Sequence, residues 1–403
     1  MVRWLLFIVF ILLIDFYAYQ SVKLLTKNRL ILVIYWLISL AILVNVIYHL
    51  SNFRGSHGFN HSLMLAIGLL ILSIIPKITA ILVLFSEDIF RVFNTGFSYF
   101  FNSSTTTHFL ERRVFVSKVA LGLAAIPFAS IIYGMTKGKY NFKVIKHTLF
   151  FNDLPEAFDG FTITHISDIH SGSFDDAEKI NYGIDLINEQ KSDVILFTGD
   201  IVNNTADEMD SWISYFKKLK APFGKYSVLG NHDYGEYVRW NSSEEKDQNF
   251  KAIKAIHPKI GFNLLLNDSV YLENNNQKIA LIGVENWGTR FKKAGDLIKA
   301  SEKINKEDFK ILMSHDPSHW NTEVKNHPNN YQLTLSGHTH GMQFGIEIPG
   351  FKWSPIQYIY KQWAGIYKEF NRYINVNRGF GFLAFPGRVG IWPEITGITL
   401  KKK

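Results

Sequence analysis

The chain has 403 residues, 47% of them hydrophobic, 15% aromatic and only 19% charged, with a formal net charge of +8. It contains no cysteine, which excludes disulfides, thiol nucleophiles and thiolate-bound zinc and leaves the redox compartment open. The length exceeds one average domain; the basic balance suits an anionic partner, but no Lys/Arg stripe extends beyond Lys401-Lys402-Lys403, so nucleic acid is not an expected partner.

The apolar residues crowd into the first third. Four segments stand out, at residues 4–19, 30–50, 63–85 and 118–135. A helix needs about 20 apolar residues to cross a bilayer core, so the second and third qualify comfortably and the first and fourth stand near the lower limit. The first lacks a small-residue cleavage pattern and precedes three more segments, which favours a retained helix over a signal peptide. Asp15 is expected near an interface, and Pro76-Lys77 to kink the third helix, with the lysine snorkelling or facing a partner helix. Residues 86–116 are aromatic and amphipathic, as an interfacial helix or a loop helix packed on the bundle would be.

Lys23, Lys27 and Arg29 fall in the first loop and Arg91, Arg112 and Arg113 in the third, against Arg54 in the second and Arg3 at the N-terminus. Positive loops stay inside, so both termini are expected outside and the C-terminal domain extracytoplasmic. Lys137, Lys139, Lys143 and Lys146 pull the other way.

After residue 140 short apolar runs alternate with amphipathic helices, an α/β pattern. Strands are expected at 161–167, 193–198, 225–229, 278–284, 309–314 and 331–336, and helices at 175–189 and 207–219. The late β-rich segments 373–376 and 395–400 suggest a second sheet packed on the first. The domains therefore read as 1–139, transmembrane, and 140–403, catalytic.

Sites in α/β folds form at the carboxyl ends of strands, and the polar residues gather there. The strand ends carry Asp168-Ile169-His170, Gly199-Asp200, Gly230-Asn231-His232-Asp233, His315-Asp316 and Gly337-His338-Thr339-His340-Gly341. In extended chain, residues i and i+2 share a side, so Asp168 with His170, and His338 with His340, could each reach one ion. Two carboxylates, an amide oxygen and four imidazoles suit Mn²⁺, Fe or Zn²⁺ better than Ca²⁺. Seven ligands with one shared are about right for two divalent ions.

The ordered set D-x-H, G-D, G-N-H-D, H and G-H-x-H resembles the calcineurin-like metallophosphoesterase family. Leu154–Gly160, Asn377–Gly381, Arg388 and Pro393–Thr396 resemble its membrane-anchored subgroup, and the likeness covers residues 140–403. It implies a four-layer α/β/β/α sandwich behind a bundle of about four transmembrane helices. It implies that Asp168, His170 and His340 hold a first metal, that Asn231, His315 and His338 hold a second, and that Asp200 bridges both. His232 would be the acid near the leaving group and Asp233 its orienting partner. Met342 departs from the glycine that many relatives carry. Glu111–Phe115 resembles a degenerate twin-arginine signal, although a basic loop flanking a helix reads more simply.

Two such ions would support hydrolysis of a phosphomonoester, phosphodiester or pyrophosphate by metal-bridged hydroxide. The tether points to a lipid-linked substrate at the bilayer. A nuclease, or a membrane sensor or scaffold with structural metals, are the alternatives. His165, His257, His319 and His327 lie outside the pattern and are given no role. Arg378 and Arg388 could meet a phosphate or form salt bridges. Trp287 and the aromatic residues Phe351, Trp353, Tyr358, Tyr360, Trp363 and Tyr367 could line an entrance, face lipid or pack in the core.

Overall fold

The computed structural model describes residues 2–53, 58–101 and 109–403; Arg54 and part of the aromatic stretch at 102–108 lie outside them. The chain divides into two compact units, residues 1–52 with 62–136, and residues 53–61 with 137–403.

The first unit holds four helices, α1 (Val2–Leu25), α2 (Arg29–Asn52), α3 (His61–Phe101) and α4 (Phe109–Thr136), each long and apolar enough to cross a membrane. Their surfaces are rich in exposed Leu, Ile, Val and Phe, as a lipid-facing surface requires. Three alanines let α3 and α4 pack closely, Ala80 with Leu84 of α3 against Ala120 and Ala124 of α4. The aromatic residues after Phe85 form no separate element. They continue α3 to 41 residues, about 60 Å at 1.5 Å per residue, twice a bilayer core of about 30 Å.

Asp15 is buried at mid-helix rather than interfacial. Lys77 Nζ donates to Asp15 Oδ1 at 2.6 Å, Ser39 Oγ at 2.8 Å and Ser73 Oγ at 2.7 Å. The Tyr35 hydroxyl donates to the Asp15 carbonyl at 2.8 Å. A charge this far from water is tolerated because an opposite charge and two hydroxyls surround it. Arg113 is committed in the same way, its Nη1 donating to Glu87 at 2.6 Å and Asp88 at 2.7 Å. Arg112 and Arg113 lie within the first turns of α4 rather than in a loop flanking it.

In chain order the second unit comprises β1 (Lys143–Phe151), β2 (Thr162–Ile166), α5 (Ala177–Glu189), β3 (Val194–Phe197), α6 (Ile213–Phe216), β4 (Lys225–Ser227) and α7 (Ser243–Lys259). There follow β5 (Asn263–Leu264), β6 (Asp268–Asn274), β7 (Gln277–Gly283), α8 (Leu297–Ser301), β8 (Lys310–Met313), α9 (Ser318–Thr322) and β9 (Leu333–Ser336). The chain closes with β10 (Ile346–Ile348), β11 (Phe351–Trp353), β12 (Gly365–Glu369), β13 (Arg372–Val376) and β14 (Glu394–Lys402). Two six-stranded sheets form, in the orders β1-β14-β2-β3-β4-β5 and β12-β13-β9-β8-β7-β6. The late strands thus divide between them: β13 joins the second sheet, while β14 enters the first, between β1 and β2.

Alternating apolar residues explain the layering. Ile163, Val194 and Leu196 of one sheet meet Leu281, Ile311, Met313 and Leu335 of the other in a shared core. The opposite face of the second sheet, through Ile282, Leu312 and Ile374, packs on Leu297 and Trp320 of its helices. Outside the first sheet α5 buries Ile180, Ile184 and Ile187, a helical i, i+4, i+7 stripe. Asp176 caps that helix by accepting from the Lys179 amide at 3.1 Å. The result is the expected four-layer α/β/β/α sandwich.

Candidate metal centre

The parallel strands β2, β3 and β4 in one sheet, and β8 and β9 in the other, all deliver polar residues just past their carboxyl ends. There the backbone turns sharply. Asp168, His170, Asp200, His338 and His340 all have positive φ, from 49° to 70°, a region that costs non-glycine residues energy. Asp168 and His170 therefore share a side through left-handed turns, not through an extended chain. Gly337 and Gly230 permit the crowding: a Cβ at 337 would fall on Ser167 and Asp168, and one at 230 on Asp200.

Two groups of donors result. Asp168, His170 and His340 offer atoms within 4.8 Å of one another, and so do Asp200, His315 and His338. His338 and His340 thus separate, one to each group, where the i, i+2 rule had put them together. Within the first group His170 Nε2 and His340 Nε2 stand 3.0 Å apart, and His340 Nε2 is 3.1 Å from Asp168 Oδ1. Within the second, Asn231 Oδ1 lies 2.8 Å from His338 Nδ1 and 3.2 Å from His315 Nε2. Asp200 Oδ2 reaches toward both, 3.5 Å from His170 Nε2 and 3.2 Å from His315 Nε2.

These spacings fit cations. Ligand atoms about 2.0–2.1 Å from one ion stand roughly 3.0–3.4 Å apart. The charges fit as well. Asp168 and Asp200 are fully buried yet make no ion pair with Lys or Arg among the described residues. Burial opposes their ionisation, but His340 holds the Asp168 carboxyl low and His315 and His232 hold Asp200 well below the usual range. Burial also opposes a charge on His315, but Asp200 overrides it and raises the imidazole to about 10, so this ring must release a proton to bind a cation. Burial pushes His170 and His338 down, toward the neutral form that ligates metals, and lowers His232 beside them as well. His170 Nδ1 is buried with no hydrogen-bond partner.

Outer contacts fix the rings. His315 Nδ1 donates to the Thr198 carbonyl at 2.7 Å, which turns Nε2 inward. Asn231 Nδ2 donates to the Tyr237 hydroxyl at 2.8 Å, which leaves Oδ1 for the centre. His338 Nε2 bonds the Tyr360 hydroxyl at 2.9 Å, and Tyr360 in turn donates to Asp316 at 3.4 Å.

His232 lines the same cavity, of about 340 Å³. Its Nδ1 donates to the Asn203 carbonyl at 2.8 Å, so that carbonyl, not Asp233, orients the ring. The Asp233 carboxylate instead accepts the amides of Asp200, Ile201 and Gly230 at 2.8–2.9 Å, tying two ligand turns together. Burial and the Asp200 charge push Asp233 up to about 7, against the Gly230 and Ile201 amides and His315.

Tyr237, Tyr360 and Asn203 were not foreseen; only Tyr360 had stood out, as one aromatic among several. Trp363 packs in a core cluster with Ile356 and Ile391. Arg378 is taken up by Glu347 and Glu394, and Arg388 by the carbonyls of Arg378 and Gly381. His165 and His257 are buried neutral groups that bond Thr198 and Asn375, and Ser227, respectively.

The family profile described as calcineurin-like phosphoesterase matches residues 161–342. A second profile, a probable calcineurin-like phosphoesterase transmembrane domain, matches residues 2–139. The uncharacterized metallophosphoesterase YkuE of Bacillus subtilis is 33% identical over 259 residues, 64% of this chain and 84% of that one. The transmembrane protein with metallophosphoesterase domain of Danio rerio is 26% identical over 279 residues, 67% of this chain and 60% of that protein. Fold, donor set and relatives define a metallophosphoesterase anchored in a membrane. The chain belongs to the calcineurin-like metallophosphoesterases, in a form carrying a four-helix transmembrane domain, and is an integral membrane protein.

Proposed function

We propose that this protein hydrolyses a phosphomonoester, phosphodiester or pyrophosphate bond of a lipid-linked substrate, with its catalytic unit on the extracytoplasmic side. In this reading Asp168, His170 and His340 hold one divalent cation, Asn231, His315 and His338 a second, and Asp200 is shared. The observation that carries it is the approach of Asp200 Oδ2 to histidines of both groups, 3.5 Å from His170 and 3.2 Å from His315.

Bound there, Mn²⁺, Fe or Zn²⁺ would supply Lewis acidity, offsetting phosphoryl charge and lowering the pKa of water. The chain's own residues do the rest. The ligand side chains would hold the ions against which the phosphate is oriented. His232, its Nδ1 proton engaged by Asn203, leaves Nε2 free to take up the proton released by the attacking water and pass it to the leaving oxygen. As the bond from water oxygen to phosphorus forms, the P–O bond to the leaving group breaks and that oxygen takes the proton. Phe291, Ile356, Ile359 and Leu383 line the cavity with apolar surface, which supports an amphiphilic leaving group.

The test is turnover of bis(4-nitrophenyl) phosphate by detergent-purified protein reconstituted with Mn²⁺, Fe²⁺ or Zn²⁺. Hydrolysis with at least one ion, abolished in Asp200→Ala, is expected. No hydrolysis with any ion would favour a scaffold with structural metals.

A further inference from the structure

A second cavity, of about 380 Å³, adjoins the metal centre. It shares Arg290, Ile359 and Tyr360 with the metal-centre cavity, so these three side chains form the wall between the two, and Tyr360 itself bonds the candidate ligand His338 at 2.9 Å. The chemistry of the two differs. Away from the shared wall, Thr289, Ser318 and Asn321 line the second cavity with hydroxyl and amide groups, and Lys325 and Lys361 add positive charge. Lys325 is engaged by Glu369 at 2.9 Å. Arg290 and Lys361 are exposed and make no ion pair among the described residues.

The Arg290 loop is held in place. The Thr289 amide donates to Ser318 Oγ at 3.1 Å, and the Phe291 ring stands edge-on to His338 with centroids 4.7 Å apart. The guanidinium at the junction thus belongs to a braced segment, and no carboxylate consumes its donor fork.

We infer that this second cavity is an anion subsite, in which Arg290 and Lys361 bind a second phosphate or similarly charged group carried on a substituent of the scissile phosphate. The inference rests on the phosphoesterase reading and narrows it: the preferred substrate carries two anionic groups, the scissile phosphate at the metal centre and another beyond Tyr360. A charged hydrogen bond lost in a partly enclosed site is worth about 1.5–3 kcal/mol, or roughly 10- to 100-fold in kcat/KM.

The experiment uses the full chain in detergent with its activating metal and two matched sets of 4-nitrophenyl alkyl phosphodiesters. In one set the alkyl chain ends in a phosphonate, in the other in the uncharged dimethyl phosphonate, with chain length graded from short to long. The charged set should be preferred by about 10-fold or more in kcat/KM at an optimal length. That ratio should fall to near one in the Arg290→Gln/Lys361→Gln double variant. Equal rates for both sets at every length, or a preference surviving in the double variant, would overturn the subsite while leaving the phosphoesterase reading intact. No hydrolysis of either set would overturn both.

Discussion

At the scale of single residues, the centre is built from strained turns. Five candidate ligands hold positive φ, a conformation usually left to glycine, and they persist because surrounding contacts over-determine them. Met342, at φ 55°, belongs to the same strained run, a conformation that glycine adopts at least cost. The donor types were legible in the sequence because the chemistry demands carboxylates and imidazoles at strand ends. Their distribution was not, because φ at His338 and His340 depends on the packing of Gly337 against Asp168 and Ser167. The partner of His232 was illegible too, since a backbone carbonyl, at Asn203, carries no side-chain signal. His232→Ala should leave metal content unchanged and slow turnover by about 10²–10⁴-fold. Parallel metal analysis and kinetics check this, and a loss of metal would make His232 a ligand rather than an acid.

At the scale of elements, the strands beside the site were read correctly because their apolar runs end abruptly in polar clusters. Sheet membership was not readable. β14 pairs with β1 across the whole catalytic unit, Lys143 facing Glu394, and no local period records a partner so distant. β1 itself went unrecognised because its residues are mostly exposed or half-buried at the sheet's edge. Helix α7, capped by Ser242, was missed because its first turns are polar. In the bundle, Asp15 and Lys77 form one buried unit with Ser39 and Ser73. Asp15→Asn should cost more stability than the double change Asp15→Leu/Lys77→Met, because the single variant strands a cation away from water, a penalty of about 3–5 kcal/mol. Thermal unfolding in a fixed detergent compares them; a double variant less stable than the single would refute the coupling.

At the scale of the molecule, the four apolar helices were legible from composition and the α/β class of the remainder from its alternating pattern, whereas the four-layer sandwich came only through the family resemblance. The acid stability of that fold has an identifiable contributor outside the centre. His257 is buried against Phe197, bonded to Ser227, and burial pushes its pKa down to about 3. The unfolded chain takes up a proton near pH 6.5 that the folded chain refuses, so stability is full above that pH and falls as the solution is acidified toward 3. At pH 5 the loss from this one group is about 2 kcal/mol. Denaturant titrations of wild type and His257→Gln at pH 7 and pH 5 should show a smaller acid loss in the variant; equal losses would mean that the group titrates normally.

The convergence of seven side chains from five strand ends on two cations is the core of the account. It is tested most directly by counting metal ions in protein purified without chelator and equilibrated with Mn²⁺ or Zn²⁺, by elemental analysis against protein concentration. Two ions per wild-type chain, falling below one in Asp200→Ala while the fold is retained, is the result predicted. One ion or none in the wild type, or two still bound after loss of Asp200, would contradict a shared two-metal centre.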